Sequence, residues 1–390
     1  MYNYWSRGIT KLTEALSFLS PNLLLIMRNL FFLFFALFLQ GCAKQQNLSS
    51  VPEEKIDFDQ LERIPLNEIS DSLLGGKKYI LLDMHDEELL FGAIHKVLCK
   101  NNRIYILDRK FNKLVVFDMK GQGIGKVGTF GQGPGEYLDI ADFDVAEDGK
   151  IYCIDGQLDK LFSYSPDLTF LSATSLPFDA DILQTLETGF LFGLSSWNHK
   201  KGKGSKVVLV DEEINILKEY LQYDDFFDPN YWLSFYQFVK TESHIVYNQP
   251  IDNHVYLFNH SGELEESINI DFGDKNVLDE DKKDIERNIE KFDNYCLLRD
   301  FVVVTDRMIG GALWDGRQHK VFLHDMENMK CYNSEVVLDS DMSWGTGYSN
   351  GNWITYIDPD SDLSKYKSLP DSVRHHLGKE GFVLCLQILH

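Results

Sequence analysis

The chain has 390 residues, 44% hydrophobic and 25% charged, enough apolar material for a large core, and 13% aromatic residues with 27 Phe and 18 Tyr. That aromatic share suits many short strands better than a set of helices. A formal net charge of -22 leaves no basic surface to neutralise phosphates, which excludes DNA and RNA as partners.

At the N-terminus, Leu30 to Leu39 form an unbroken apolar run, preceded by Arg28 and followed by Gly41 and Cys42. Such a run has signal-peptide length and is too short to span a bilayer. The ending Leu39-Gln40-Gly41-Cys42 resembles a bacterial lipobox, in which cleavage before the cysteine leaves Cys42 to carry acyl chains. Residues 1–41 therefore read as a signal peptide, with Met27-Arg28-Asn29 as its true start and the upstream residues as a misassigned extension. Residues 42–75 read as a lipid-anchored tether and lead-in. Ala43 rather than Asp after Cys42 implies, by the same resemblance, the outer membrane of a Gram-negative cell. No acidic run follows to mark surface export, so the periplasmic side is favoured over the cell surface.

From residue 76 to residue 390 the sequence repeats. Ile104–Asp118, IYILDRKFNKLVVFD, aligns without a gap to Ile151–Ser165, IYCIDGQLDKLFSYS, at an offset of 47. Asp108 falls on Asp155 and Lys113 on Lys160. HVYLFNHSG from His254 aligns with KLVVFDMKG from Lys113 at three times that offset, and Asp315 with Lys320 fits the same D-x4-K frame. KVVLVD from Lys206 is a weaker copy, and Phe382 to Leu389 supplies a sixth. Each unit reads as an alternating or apolar strand, a tight turn, a strand ending in Asp, another turn and further strands of period two. Four strands in about 47 residues make one propeller blade.

The predicted fold is therefore all-β: a six-bladed β-propeller of four-stranded antiparallel blades with short helical insertions. Seven blades is the alternative if the stretch between His254 and Lys320 hides another unit. Lys77 to Met84, KKYILLDM, is the expected closing strand, because an unsealed ring exposes a bare sheet edge.

Gly123, Gly125 and Gly128 spell G-x-G-x-x-G, yet TFGQGPGEY follows, which cannot start the helix a dinucleotide site needs. These glycines are expected to serve the crossing between blades, where positive φ is required. The lipobox, the IYILD-x4-KLVVFD unit, the GxGPGEY crossing and six such units together resemble the six-bladed β-propeller lipoproteins of Gram-negative bacteria, which are related to NHL-repeat propellers. The resemblance covers about residues 75 to 390 and implies fold and location, not an activity.

Strand direction puts the crossing loops and the turns between second and third strands on one end of the channel. Arg109, Glu136, Tyr137, Gln157, Trp314 and Arg317 are expected to ring that end as ligand-binding residues. Asp224 to Phe238 is rich in aromatics; it either packs between blades or offers Tyr231 and Trp232 as stacking surfaces. Leu278, Ile285, Ile289, Phe292 and Cys296 suit one face of a helix, and Leu363 to Leu377 reads as a second one. Cys99, Cys153, Cys296, Cys331 and Cys385 are an odd set without metal spacing and read as buried small hydrophobes, a single disulfide between facing strands being the alternative.

No H-E-x-x-H, CxxC pair, G-x-S-x-G or EF-hand loop occurs, so no catalytic residue, no metal ligand and no cofactor is assigned. The expected function is an envelope-anchored binding scaffold for a glycan, a peptide or another envelope protein. The alternative is a Ca²⁺-dependent hydrolase or lyase in the channel, for which Asp83, Asp142, Asp144 and Asn248 would be the ligands.

Overall fold

In a computed structural model, residues 44–45, 51–229, 236–316, 318–335, 345–366 and 369–390 are described. Within the unit Gln45–His390 six four-stranded blades follow one another. Blade 1 comprises Lys96–Lys100, Arg103–Asp108, Lys113–Asp118 and Gly123–Lys126, and blade 2 Ile140–Val145, Ile151–Asp155, Lys160–Tyr164 and Phe170–Ser175. Blade 3 runs Ala180–Thr185, Phe190–Leu194, Ser205–Val210 and Ile216–Gln222, and blade 4 Val239–Lys240, Ile245–Tyr247, His254–Phe258 and Leu264–Asp271. Blade 5 is Cys296–Val304, Met308–Asp315, Gln318–Asp325 and Lys330–Glu335; blade 6 is Gly347–Ser349, Asn352–Ile357, Val383–Leu389 and Leu74–Leu81.

The last of these strands comes from the other end of the sequence and closes the ring, pairing antiparallel with Val383–Leu389. The six repeat anchors Lys113, Lys160, Lys206, His254, Lys320 and Phe382–Leu389 all fall on or at the third strand of a blade, one per blade. The lead-in does more than tether. Glu53–Asp57 adds a parallel fifth strand to the outer edge of blade 4, and Glu62–Pro65 does the same on blade 5.

Each strand feeds two cores because each blade is sandwiched between two others. In Arg103–Asp108, Tyr105 and Leu107 pack toward blade 2 with Phe143, Val145 and Phe162, whereas Ile104 and Ile106 pack toward blade 6 with Ile354 and Leu384. Burial on both faces is why strands such as IYIL and VVLV read as continuous apolar runs. The outermost strand of blade 2, Phe170–Ser175, is exposed over five of its six residues, as expected where one neighbour is solvent.

The repeated Asp and Lys have a local cause. Asp108 Oδ1 accepts from Lys110 N and Phe111 N at 2.9 and 3.2 Å, and Asp155 Oδ1 from Gln157 N and Leu158 N, both at 2.9 Å. Asn112 and Asp159, each just before the Lys, sit at φ 49°, a left-handed position that Asn and Asp tolerate. The second oxygen of each Asp reaches the crossing loop: Gly92 N and Ala93 N for Asp108, Leu138 N for Asp155. Blade 5 departs from this frame. Its turn is a tight hairpin with Gly316 at φ 63°, Asp315 pairs with Gln318, and Lys320 pairs with Leu313.

The glycine-dense crossing is a packing device. Gly128 is at φ 61° and a Cβ there would lie 2.5 Å from Tyr164 Oη; the next residues, Thr129–Phe130, form a small parallel ladder with Glu136–Tyr137 rather than a helix. The helix expected from Leu278 is broken. It is realised as Asp279–Lys282, Ile285–Asn288 and a 3-10 segment Ile289–Asn294, because Asp284 caps a new start by accepting from Arg287 N and Asp228 accepts from Ile285 N. Leu278 and Ile289 consequently lie exposed, and Cys296 opens a strand. The second expected helix is divided as well, into a 3-10 turn Leu363–Lys365 and a helix Asp371–Leu377 that starts directly after Pro370. Cys99, Cys153, Cys296, Cys331 and Cys385 are buried thiols outside any disulfide, and burial pushes the Cys99, Cys296 and Cys331 thiols up to about 12.

Near the axis, charged side chains tie inner strands of neighbouring blades together. Lys96 Nζ, 7% exposed, donates to Asp142 Oδ1 at 2.9 Å and to the Phe143 carbonyl at 2.8 Å, joining blade 1 to blade 2. Asp142 Oδ2 accepts from Leu183 N at 3.0 Å, and Asp144 Oδ2 from Thr185 N, Thr185 Oγ1 and Gln184 Nε2, joining blade 2 to blade 3. Removing one partner of a buried pair leaves the other charge uncompensated, at a cost of about 3–5 kcal/mol. Lys96→Met is expected to lose about that much stability, and a urea unfolding curve indistinguishable from that of the parent would refute the tie.

Candidate functional site

At one end of the propeller a cleft of about 500 Å³ opens between blades 3 and 4. Four segments build it: the turns between second and third strands in these two blades, and the crossings that follow each blade. The turn of blade 3 contributes Ser196 and Trp197, that of blade 4 Gln249 to Asn253. The crossing from blade 3 to blade 4 brings Asp224, Phe227, Asp228 and Tyr236, and the broken helical insertion after blade 4 brings Asn276, Val277, Asp279 and Ile285.

Charge is organised in two layers. In the middle of the cleft Asp252 receives Lys206 Nζ at 2.8 Å on one oxygen and His254 Nδ1 at 2.8 Å on the other. Tyr256 Oη donates to the same carboxylate at 3.3 Å, and its ring stacks on His254 with an interplanar angle of 17°. Burial alone would raise the Asp252 carboxyl, but the Lys206 ammonium and His254 outweigh it and hold it below the usual carboxylate range. His254 moves the other way, raised above 6.5 mainly by its hydrogen bond to Asp252.

At the inner end stands Asp181, 7% exposed, on the innermost strand of blade 3. It accepts from Ser195 Oγ and, at 3.0 Å, from Tyr236 Oη. Burial pushes its carboxyl up to about 6, against the pull of these two donors and of Arg109. Gln249, 5% exposed, donates through Nε2 to Tyr223 Oη at 3.1 Å, and Tyr223 Oη donates to the Leu194 carbonyl at 2.8 Å. Gln249 Oε1 is buried and accepts no hydrogen bond.

The ligand-binding residues expected from sequence are scattered by the structure. Arg109 does reach the channel end, where burial lowers its pKa and Asp142, Asp181 and Asp139 oppose that shift. Tyr137 is 3% exposed and its ring is part of the core between blades 1 and 2, so it presents no face to a ligand. Glu136 Oε2 accepts from Gly133 N at 2.7 Å and caps its own loop. Gln157 is exposed on the turn between the second and third strands of blade 2 and is not part of the cleft lining. Trp314 Nε1 donates to the Phe292 carbonyl at 3.0 Å and packs on the insertion, which makes it a brace. Tyr231, Trp232, Arg317 and Cys42 lie outside the described residues.

The residues named for a calcium site do not converge either. Asp142 and Asp144 are engaged in the ties between blades, Asp83 is paired with His85, and Asn248 Nδ2 donates to the carbonyls of Asp252 and His254. Among the described residues no three His, Cys, Asp or Glu side chains stand where they would share one metal ion.

Six antiparallel sheets around an axis, closed by a strand from the N-terminal side, match a known pattern. The chain belongs to the 6-bladed beta-propeller family DUF5128, whose sequence pattern matches residues 44–306. Among solved structures it is similar to a protein of Bacteroides fragilis NCTC 9343 named as exported, with a TM-score of 0.68 and 20% identity over 87% of this chain and 100% of that one. It is also similar to a member of the DUF4221 family from Bacteroides vulgatus ATCC 8482, with a TM-score of 0.48 and 9% identity over 82% and 99%. No curated protein matches the chain. Among the described residues of the propeller no helix is long and apolar enough to cross a membrane.

What the sequence missed is the cleft itself. Its signal was loop length: the crossings before and after blade 4, residues 223–238 and 272–295, are longer than the four-residue crossing 176–179 before blade 3. Both had stood out as irregular, but nothing local showed that they flank one cavity.

The Asp252–His254 pair gives the propeller a pH signature. His254, raised above 6.5, stabilises the fold fully below 6.5, and that contribution is lost as pH rises through its folded value. Asp252, lowered below 3.8, contributes above 3.8 and loses this as pH falls through its folded value. Both act together between 3.8 and 6.5. The difference in melting temperature between the parent and His254→Gln is expected to be largest in that window and to shrink at higher pH; a constant difference would contradict the pairing.

Proposed function

We propose that this propeller is an exported lipoprotein, held through Cys42 on the periplasmic side of an outer membrane, that binds a small polar ligand in the cleft between blades 3 and 4. The ligand is a glycan fragment or a short peptide, and no reaction is assigned. The observation that carries the reading is the cleft's lining. Asn253, Asn269 and Asn276 line a cavity of about 500 Å³ together with the aromatic residues Trp197, Phe227 and Tyr256. Polar and charged residues make up most of the lining, which suits a polar ligand, and the aromatic residues supply stacking area.

Binding rather than catalysis is favoured because the titratable groups of the middle layer, Asp252 and His254, are engaged with each other and with Lys206. The anchor rests on the apolar run Leu30 to Leu39 followed by Cys42. An exported location is consistent with the name of the Bacteroides fragilis relative.

Two measurements test the two halves. Cells fed an alkyne-labelled fatty acid should incorporate the label into this chain and lose it with Cys42→Ser; label retained in that variant would refute the anchor. A thermal-shift screen of oligosaccharides and short peptides should yield binders, and Trp197→Ala should weaken them by about tenfold through loss of one stacking face. Binders unaffected by Trp197→Ala and by Asn269→Ala together would place the site elsewhere.

A further inference from the structure

The inner end of the cleft is short of positive charge. Asp181 lines it, and Asp139, Asp142 and Asp155 of blade 2 and the crossing before it bear electrostatically on Arg109 or on one another behind it. Lys96 is bound to Asp142 at 2.9 Å. Asp155 is held by three backbone N–H groups, from Leu138, Gln157 and Leu158, which satisfy its oxygens without adding a charge. The Arg109 guanidinium acts on both Asp139 and Asp181. Burial raises the pKa of both, and Arg109 only partly offsets it.

Of these four carboxylates, Asp181 lines the cleft. From blade 4 the lining adds Gln249, whose buried Oε1 accepts from no donor among the described residues while its Nε2 is held by the Tyr223 hydroxyl. Tyr236 adds an aromatic ring at this end, hydrogen-bonded to Asp181. A carboxylate, an amide carbonyl and a ring face together suit a group with several N–H donors and a positive charge. A neutral hydroxyl meets the acceptors but leaves the charge uncompensated.

Building on the binding reading above, we propose that the cleft selects ligands bearing a primary ammonium group, seated at its inner end against Asp181 and Gln249. In the middle layer the Lys206 charge is paired with Asp252 at 2.8 Å, and Asp224, Asp271 and Asp279 line the same cleft. An amino sugar and the free N-terminus of a peptide both carry this group, and the two sources are separable.

The test is calorimetric titration of the full chain, purified in detergent, with two matched pairs of probes. One pair is a glucosamine tetramer and its N-acetylated form; the other is a neutral tetrapeptide with a free and with an acetylated N-terminus. In at least one pair the amine form should bind about tenfold tighter or better, as a charge-assisted contact implies, and the pair that responds identifies the source. Asp181→Asn, which keeps the shape and still accepts from one of Ser195 and Tyr236 while its NH2 donates to the other, should erase the difference between the amine and acetylated probes. Should that variant unfold, Gln249→Leu is expected to cut amine affinity severalfold on a stable fold. Acetylated probes that bind as tightly as the amines, with Trp197 fluorescence reporting cleft occupancy, would overturn the ammonium seat and leave the cleft reading standing. Failure of all four probes to bind would overturn both.

Discussion

Ring closure is the constraint on which the rest of this structure depends. Every blade has its two faces covered by neighbours, so no blade buries its residues until the next one is in place. The last gap is sealed by Leu74–Leu81, which supplies the outer strand of blade 6 from the opposite end of the sequence. An unsealed sixth blade would present the free edge of Val383–Leu389 as a template for another chain. The two parallel strands that the lead-in lays on blades 4 and 5 extend the same logic, covering sheet edges that would otherwise be bare.

Closure also decides where polar groups lie. Inner strands crowd together at the axis, and their buried carboxylates need partners across the blade boundary rather than within the sheet. Asp142 and Asp144 find them in Lys96, Leu183 and Thr185, which makes them structural ties. Asp181, one blade further on, has hydroxyl partners and a shared guanidinium, and it borders open space. The same residue type on equivalent strands thus serves architecture in one blade and faces the cleft in the next.

How much of this was legible follows the range of the interaction. The strand-end Asp, the left-handed Asn112 or Asp159 and the following Lys form a turn stabilised within six residues, so the repeat was visible and the blades could be counted from it. Blade 5 shows the limit: Asp315 and Lys320 keep the spacing, but a tight hairpin at Gly316 shifts the pairing by two residues. The apolar spacing from Leu278 suited a single helix; the intruding contact from Asp228, 57 residues away, helps to set the new start at Ile285. Tyr137 and Trp314 were read as channel-facing from their loops, and packing turned both inward.

The sequence by itself favoured six blades over seven, placed the third strand of every blade and a closing strand within three residues of Leu74–Leu81, and marked the cysteines as buried, because each rests on local turn chemistry or on continuous apolar runs. The tertiary structure alone decided which end carries a cavity, which carboxylates are engaged and which aromatic rings remain open. Those outcomes depend on side chains from different blades meeting across 40 residues or more of chain, as Asp142 meets Leu183 and Lys206 meets Asp252. Distances of that kind are set by the packing of whole sheets around an axis, and no spacing within one repeat encodes them.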